Sequence, residues 1–392
     1  MVSSMLIRIL TTKSSRVFVS GLLSVMTPVY LSLLGYSSVY IGLFLLVIVG
    51  SNVFSNTLLR RYESRFGRRG FLLLYSGLMA IAGLLLFLTT SGPVLLLAFF
   101  IGNVSTTGTE AGPFQSIEVG ILPRLAGPGS IKRLFGVYNF LGYGAASVGA
   151  LAASIPGYFQ DSLPVFRSLY LVFGLVGLLL FMIYLGLGDI EARRPTGEKE
   201  IVRPSQKAEK DIARLSALSS VDAFGGGFVT QSLLAYWFFV VYRVSITDLG
   251  IIFFIVNVIT AISIFGATLI AERFGNLRTM VSSHLISSVF LSAIPFAGSL
   301  TLALLFLFLR QSTSQMDVPT RQAFMAEIFS DQDRVRANAT TNVFRGVGSL
   351  FGGPLSGVMY ALGLTGVPIV VAGISKISYD IAIYASYRRE AK

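Results

Sequence analysis

RRYESRFGRRG, residues 60–70, carries five arginines in eleven positions. It is flanked by IGLFLLVIVGSNVFSNTLL (41–59) and FLLLYSGLMAIAGLLLFL (71–88), two stretches that avoid water. A helix needs about 20 apolar residues to cross a hydrocarbon layer ~30 Å thick, and each flank has that length. The stretch therefore reads as a short charged turn between two membrane spans.

The rest of the chain repeats the pattern. Of its 392 residues, 53% are hydrophobic and 13% charged, with a mean hydropathy of +0.73. A soluble globular chain carries about 25% charged residues. The apolar runs are continuous rather than alternating, which selects helices over a barrel. Twelve spans are expected, roughly at 17–35, 39–59, 70–90, 93–122, 134–155, 165–188, 214–240, 248–270, 279–298, 300–328, 340–362 and 366–386. The fold class is thus an all-α membrane protein of twelve transmembrane helices in two six-helix bundles. The first bundle is 1–188, the polar stretch 189–213 is a linker, and the second bundle is 214–392. No cleavable leader is evident, because the first apolar segment is long enough to span.

Most of the 31 lysines and arginines fall on one side of this layout, including Arg8, Lys13, Arg16 and the 60–69 loop, whereas Arg167 and Arg243 fall on the other. Positive charge collects on the cytoplasmic side, so both termini and the linker are expected there, in the cell membrane. The net charge of +12 then reflects topology and contact with membrane lipids rather than nucleic acid. The chain has no cysteine and one histidine, which excludes disulfides and Cys- or His-rich metal sites. A phosphate-binding G-x-x-x-x-G-K-[ST] motif is absent, and no cofactor is expected.

The halves echo each other. Gly42 answers Gly250, and Gly67 in SRFGRR answers Gly275 in ERFGNLR. Pro113 in EAGPFQSIEVGIL answers Pro319 in MDVPTRQAFMAEI, and GVYNFLGYG answers TNVFRGVGS. Internal repeats of this kind mark secondary transporters.

SRFGRR at 64–69 resembles the signature between spans two and three of the major facilitator superfamily, a glycine, an acid and then R-x-G-R-R. TLIAERFGNLR at 268–278 resembles its weaker second copy. LFLR at 307–310 through PTRQAFMAEIF, Arg334, TNVFRGVG and GGPLSG resembles the span-ten to span-eleven pattern, so the likeness covers essentially the whole chain. GPFQSIE and MDVPTRQAF resemble a poorly characterised prokaryotic branch. The resemblance implies that Arg65, Gly67, Arg68 and Arg69, with Glu272 and Arg273 in the second copy, form a conformational latch; topogenic charge is the competing reading. The family's first acid falls at Ser64 and its glycine at Arg60, with Glu63 as the neighbouring substitute. The Gly-Pro motif of proton antiporters is missing from span five, and GSLFGGPLSG lies on span eleven instead.

A charge at the bilayer centre costs at least ~2.5–3.5 kcal/mol, so each one is a candidate for function. Glu110 lies in span four beside Pro113, Asp317 in span ten beside Pro319, and Asp222 in span seven before Gly225-Gly226-Gly227. The resemblance places all three on cavity-lining helices. A desolvated carboxyl holds its proton more tightly, which suits Glu110, Asp317 and Asp222 to proton coupling. Structural pairing competes: Glu110 with Arg310, Asp317 with Arg321, and Lys376 with Asp380, the last two at i, i+4. Arg345, with Glu118 or Glu327 as partner, and Arg321 are gating candidates. Gln231, Tyr236, Trp237, Arg310 and Lys376 are substrate-cavity candidates, packing being the alternative for the aromatics. His284 reads as a packing residue before a relay. The glycines of GYGAASVG and GVGSLFGG suit close helix approach.

The sequence thus points to a secondary active transporter working by alternating access. It would act as a monomer on a small-molecule substrate, coupled to protons or another ion. Export of an amphipathic or organic compound is the leading expectation, and uptake of an anionic or zwitterionic solute the rival. An enzyme or lipid-handling protein is disfavoured because no nucleophile–base or metal cluster lies in the spans, and a transporter-shaped sensor is not suggested.

Overall fold

A computed structural model describes residues 2–109, 112–125, 131–187 and 206–388, and all regular structure within them is helical. The first half contains α1 (Val2–Leu33), α2 (Ser38–Leu88), α3 (Gly92–Ile101), α4 (Pro113–Leu125), α5 (Ile131–Ala152) and α6 (Leu163–Leu185). Next come α7 (Gln206–Gly227), α8 (Gln231–Tyr242), α9 (Ile246–Phe274), α10 (Asn276–Ala293) and α11 (Leu300–Ser314). The chain closes with α12 (Asp317–Ile328), α13 (Asp331–Ser349), α14 (Gly352–Ala361) and α15 (Val367–Tyr387). Among the described residues, nine helices are long and apolar enough to cross a membrane. Helices satisfy every backbone group internally, which lipid demands.

The arginine-rich turn is tighter than a loop. Helix α2 runs through it, and the two spans are separated only at Gly67, where φ is 70°. Its counterpart Gly275, at φ 84°, separates α9 from α10. Left-handed φ costs an L-residue roughly 1–2 kcal/mol and glycine almost nothing, so the repeat places glycine at both corners.

Several expected spans are broken rather than continuous. Span four is α3 and α4, with residues 102–109 irregular after α3, and span ten is α11 and α12 parted at Gln315–Met316. Proline starts α4 and stands third in α12, consistent with its missing N–H being tolerated in a first turn. Span seven is α7 and α8, and span eleven is α13 and α14. Span one also begins earlier than expected. Helix α1 includes Lys13 and Arg16, both buried, where the sequence reading had left them outside the membrane as topogenic charge.

By packing, the chain divides into two compact units. The first is Met1–Arg194 with Gln231–Asn257, and the second is Pro195–Thr230 with Val258–Lys392. In the first unit α1 packs on α5, and Gly149 of α5 lies so close to Phe18 that a Cβ would meet its carbonyl oxygen. In the second unit α7 packs on α13 in the same way, with Gly348 against the Ser220 carbonyl oxygen. The two glycine clusters therefore serve the close approaches their spacing suggested.

Candidate functional site: two buried charge clusters

Each unit buries one set of charged side chains. In the first unit Glu118 of α4 is 1% exposed and lies 2.6 Å from the Arg16 guanidinium of α1. Tyr138 of α5 donates to the same carboxylate at 2.9 Å, and Thr12 of α1 at 3.2 Å. Arg16 also covers the Phe114 ring at 4.7 Å and bonds the Tyr184 hydroxyl of α6. Four helices thus meet on one ion pair. A small cleft opens beside it, lined by Arg16, Ser20, Asn52, Asn103, Ser105 and Phe114 among others.

The irregular segment of span four borders that cleft. Asn52 donates to the Val104 carbonyl at 3.0 Å, which occupies an acceptor freed where the helix stops. The start of α8 closes on the same segment within this unit. The Ser232 amide donates to Thr106 O at 3.0 Å, Gln231 Nε2 to Ser24 Oγ at 2.8 Å, and Ser232 Oγ to Ser24 O at 2.7 Å. Tyr236 shares a hydrogen bond with Ser38 at 3.1 Å, and Trp237 packs edge-on against Phe238 and Tyr242. Glu110, the first carboxyl singled out by the sequence, lies outside the described residues.

The second unit gathers more charge. Asp222 of α7, 2% exposed, receives Arg345 of α13 at 2.6 Å and Lys376 of α15 at 2.8 Å. Arg321 of α12 stands 4.0 Å from it and 3.3 Å from Asp317, the i, i+4 pair expected from spacing. His284 of α10 holds Asp380 of α15 through Nδ1 at 2.8 Å. Its Nε2 lies 3.4 Å from Lys376 Nζ and 3.5 Å from Asp222 Oδ1.

These contacts correct three expectations. Lys376 does not close on Asp380 at i, i+4, because it reaches across to Asp222, and His284 takes Asp380 instead. Within its unit Arg345 bonds Asp222 rather than Glu327, which accepts from Asn276 at 2.6 Å; Glu118 is held by Arg16 of its own unit. His284, expected first as a packing residue, bridges two acids and a lysine. The signal for it was its solitary place in an apolar span; its partners sit on other helices and no spacing rule reaches them.

At the turns, Arg69 donates to the Tyr184 and Leu185 carbonyls at the C-terminus of α6, where a helix end attracts cations. Arg8 reaches the adjoining Gly186 carbonyl. Arg68 pairs with Glu63 at 2.6 Å, so the residue beside Ser64 does supply an acid to this turn. Arg65 lies exposed over Phe66. Glu272 and Arg273 of the second copy are exposed.

Residues 218–391 match the model of the Major Facilitator Superfamily. The whole chain has the major facilitator fold. It superposes on the nucleoside transporter NupG (D323A mutant) with a TM-score of 0.77, at 14% identity, over 97% of this chain and 99% of that one. The D-xylose-proton symporter gives 0.75 at 16% identity, over 97% and 96%. A bacterial homologue of the human lysosomal transporter Spinster, inward-facing and occupied, gives 0.72 at 16%, over 98% and 97%. An uncharacterized membrane protein of Saccharomyces cerevisiae is 24% identical across 87% of this chain and 85% of its own length. This is therefore a multi-pass membrane protein of facilitator architecture.

Proposed function

We propose that this chain is a proton-coupled secondary transporter of a small solute, and that the Asp222–His284–Asp380 chain is the coupling site. The single observation behind this reading is a buried imidazole with a carboxylate on Nδ1 and a carboxylate and an ammonium together on Nε2. A neutral ring directs its one hydrogen to Asp380, leaving Nε2 to accept from Lys376. A ring protonated at Nε2 becomes a donor toward Asp222 and repels Lys376. One proton thus exchanges Lys376 for His284 on Asp222, with Arg345 and Arg321 as further cations on that acid and Asp317 on Arg321. Such an exchange, between α10 and α15, is a local electrostatic event able to bias a two-state fold. The facilitator fold and its transporter neighbours support alternating access as the readout.

Export of an amphipathic organic compound is one use of this site. Uptake of an anionic or zwitterionic solute is the second reading, favoured by the surplus of buried cations that Arg310 creates. The test is accumulation driven by a pH gradient in proteoliposomes, across neutral, cationic and anionic solutes. His284→Gln should abolish gradient-driven accumulation yet retain solute exchange, because binding survives when coupling is lost. Accumulation equal to wild type in His284→Gln contradicts the proposal. Glu110→Gln, run beside it, tests the carboxyl that sequence alone nominated.

A further inference from the structure

The geometry points to Arg310 and Ser314, one turn apart on the buried face of α11, as the seat of an anionic group on the transported solute. This rests on the transporter reading and narrows its substrate class to compounds bearing a carboxylate or phosphate monoester. Arg310 is 9% exposed, and none of the ion pairs among the described residues includes it. Its Nη1 donates to Gln311 Oε1 at 2.8 Å, a neutral acceptor, and Gln311 is itself held by Thr260 of α9. The Arg310 Nε and the Ser314 hydroxyl are buried without a hydrogen-bond partner among the described residues. Positions four apart share a helical face, so two orphaned donors stand on neighbouring turns.

Charge balance sharpens the argument. In the buried cluster of this unit, Asp222, Asp317 and Asp380 are matched by Arg321, Arg345 and Lys376. Arg310 is surplus to that balance. A buried guanidinium with no counter-ion among the described residues is unfavourable unless something neutralises it. An anionic group would neutralise it: two oxygens on one centre match the guanidinium fork, and one of them has a further lone pair to accept from Ser314.

Thermal unfolding of the full-length protein in detergent decides this. The probes are benzoate and glucose 6-phosphate, each against a neutral analogue, benzamide and glucose, at constant ionic strength. A carboxylate or phosphate ester should raise the wild-type melting temperature and its neutral analogue should not, since only a ligand of the folded state stabilises it. Arg310→Gln should melt at or above ligand-free wild type and lose the anion-dependent shift, and Arg310→Lys should keep a reduced one. Equal shifts with neutral analogues, or an anion shift that survives in Arg310→Gln, overturn the proposal. So does a lowered melting temperature in Arg310→Gln with no anion effect on wild type, which would make the residue structural. Failure here leaves the coupling role of His284 standing, because proton binding there requires no anionic solute.

Discussion

Asp222 shows how much one carboxylate can hold. Three cations and an imidazole converge on it from α10, α12, α13 and α15, so its removal leaves the partly buried Arg345 and Lys376 without the acid they share. Breaking a buried pair by deleting one partner costs roughly 3–5 kcal/mol. Asp222→Asn should therefore destabilise the protein by about that much in denaturant unfolding in detergent. The double variant Asp222→Asn with Lys376→Met should recover part of the loss, since the two residues share one interaction. Strict additivity of the two single effects would mean that the 2.8 Å contact carries no coupling. The charge types were legible in the sequence at this scale, but the pairing was not. Helical spacing made Lys376 and Asp380 natural partners, whereas tertiary packing brought Lys376 to an acid on another helix and gave Asp380 to His284.

At the scale of elements, the breaks and close approaches carry the design. Pro113 and Pro319 mark where spans four and ten restart; the acid–proline pattern repeated in each half flagged both places in the sequence, although the spans there were expected to be continuous. Span eleven restarts in the same way, with Pro354 third in α14, whereas span seven has no proline at its restart and only Gly225-Gly226-Gly227 hinted at that break. Arg16 was misread for a related reason. It precedes the apolar run of its own span, so hydropathy placed it outside, but α1 continues through it and its ion pair with Glu118 satisfies the buried charge. The α1–α5 contact gives a direct test. Gly149→Val forces a side chain into the Phe18 backbone, and overpacking of that kind costs typically 1–3 kcal/mol or more. Gly144→Val on the same helix, with open space around it, should be near neutral in the same melting assay. Equal losses at both positions would show that α1 and α5 do not approach as described.

For the whole molecule, lipid solvation explains why the architecture was so readable. Every span must satisfy its own backbone, and the repeat then fixes matching corners at Gly67 and Gly275. The charge clusters obey the same repeat with inverted sign. The first helix of one unit contributes a base, Arg16, to an acid on span four, whereas the first helix of the other contributes an acid, Asp222, to bases on spans ten, eleven and twelve. The titratable imidazole belongs only to the second cluster, which makes that unit the site of proton exchange in this account. A proton entering a buried site moves charge within the membrane, and that movement is electrically measurable without knowledge of the solute. The most direct measurement is a pH jump on proteoliposomes adsorbed to a solid-supported membrane. Wild type should give a transient charge displacement with a defined pH midpoint, and His284→Gln should lose it by tenfold or more while remaining folded by size-exclusion chromatography. A displacement of unchanged amplitude and midpoint in His284→Gln would contradict the account and move coupling away from this cluster.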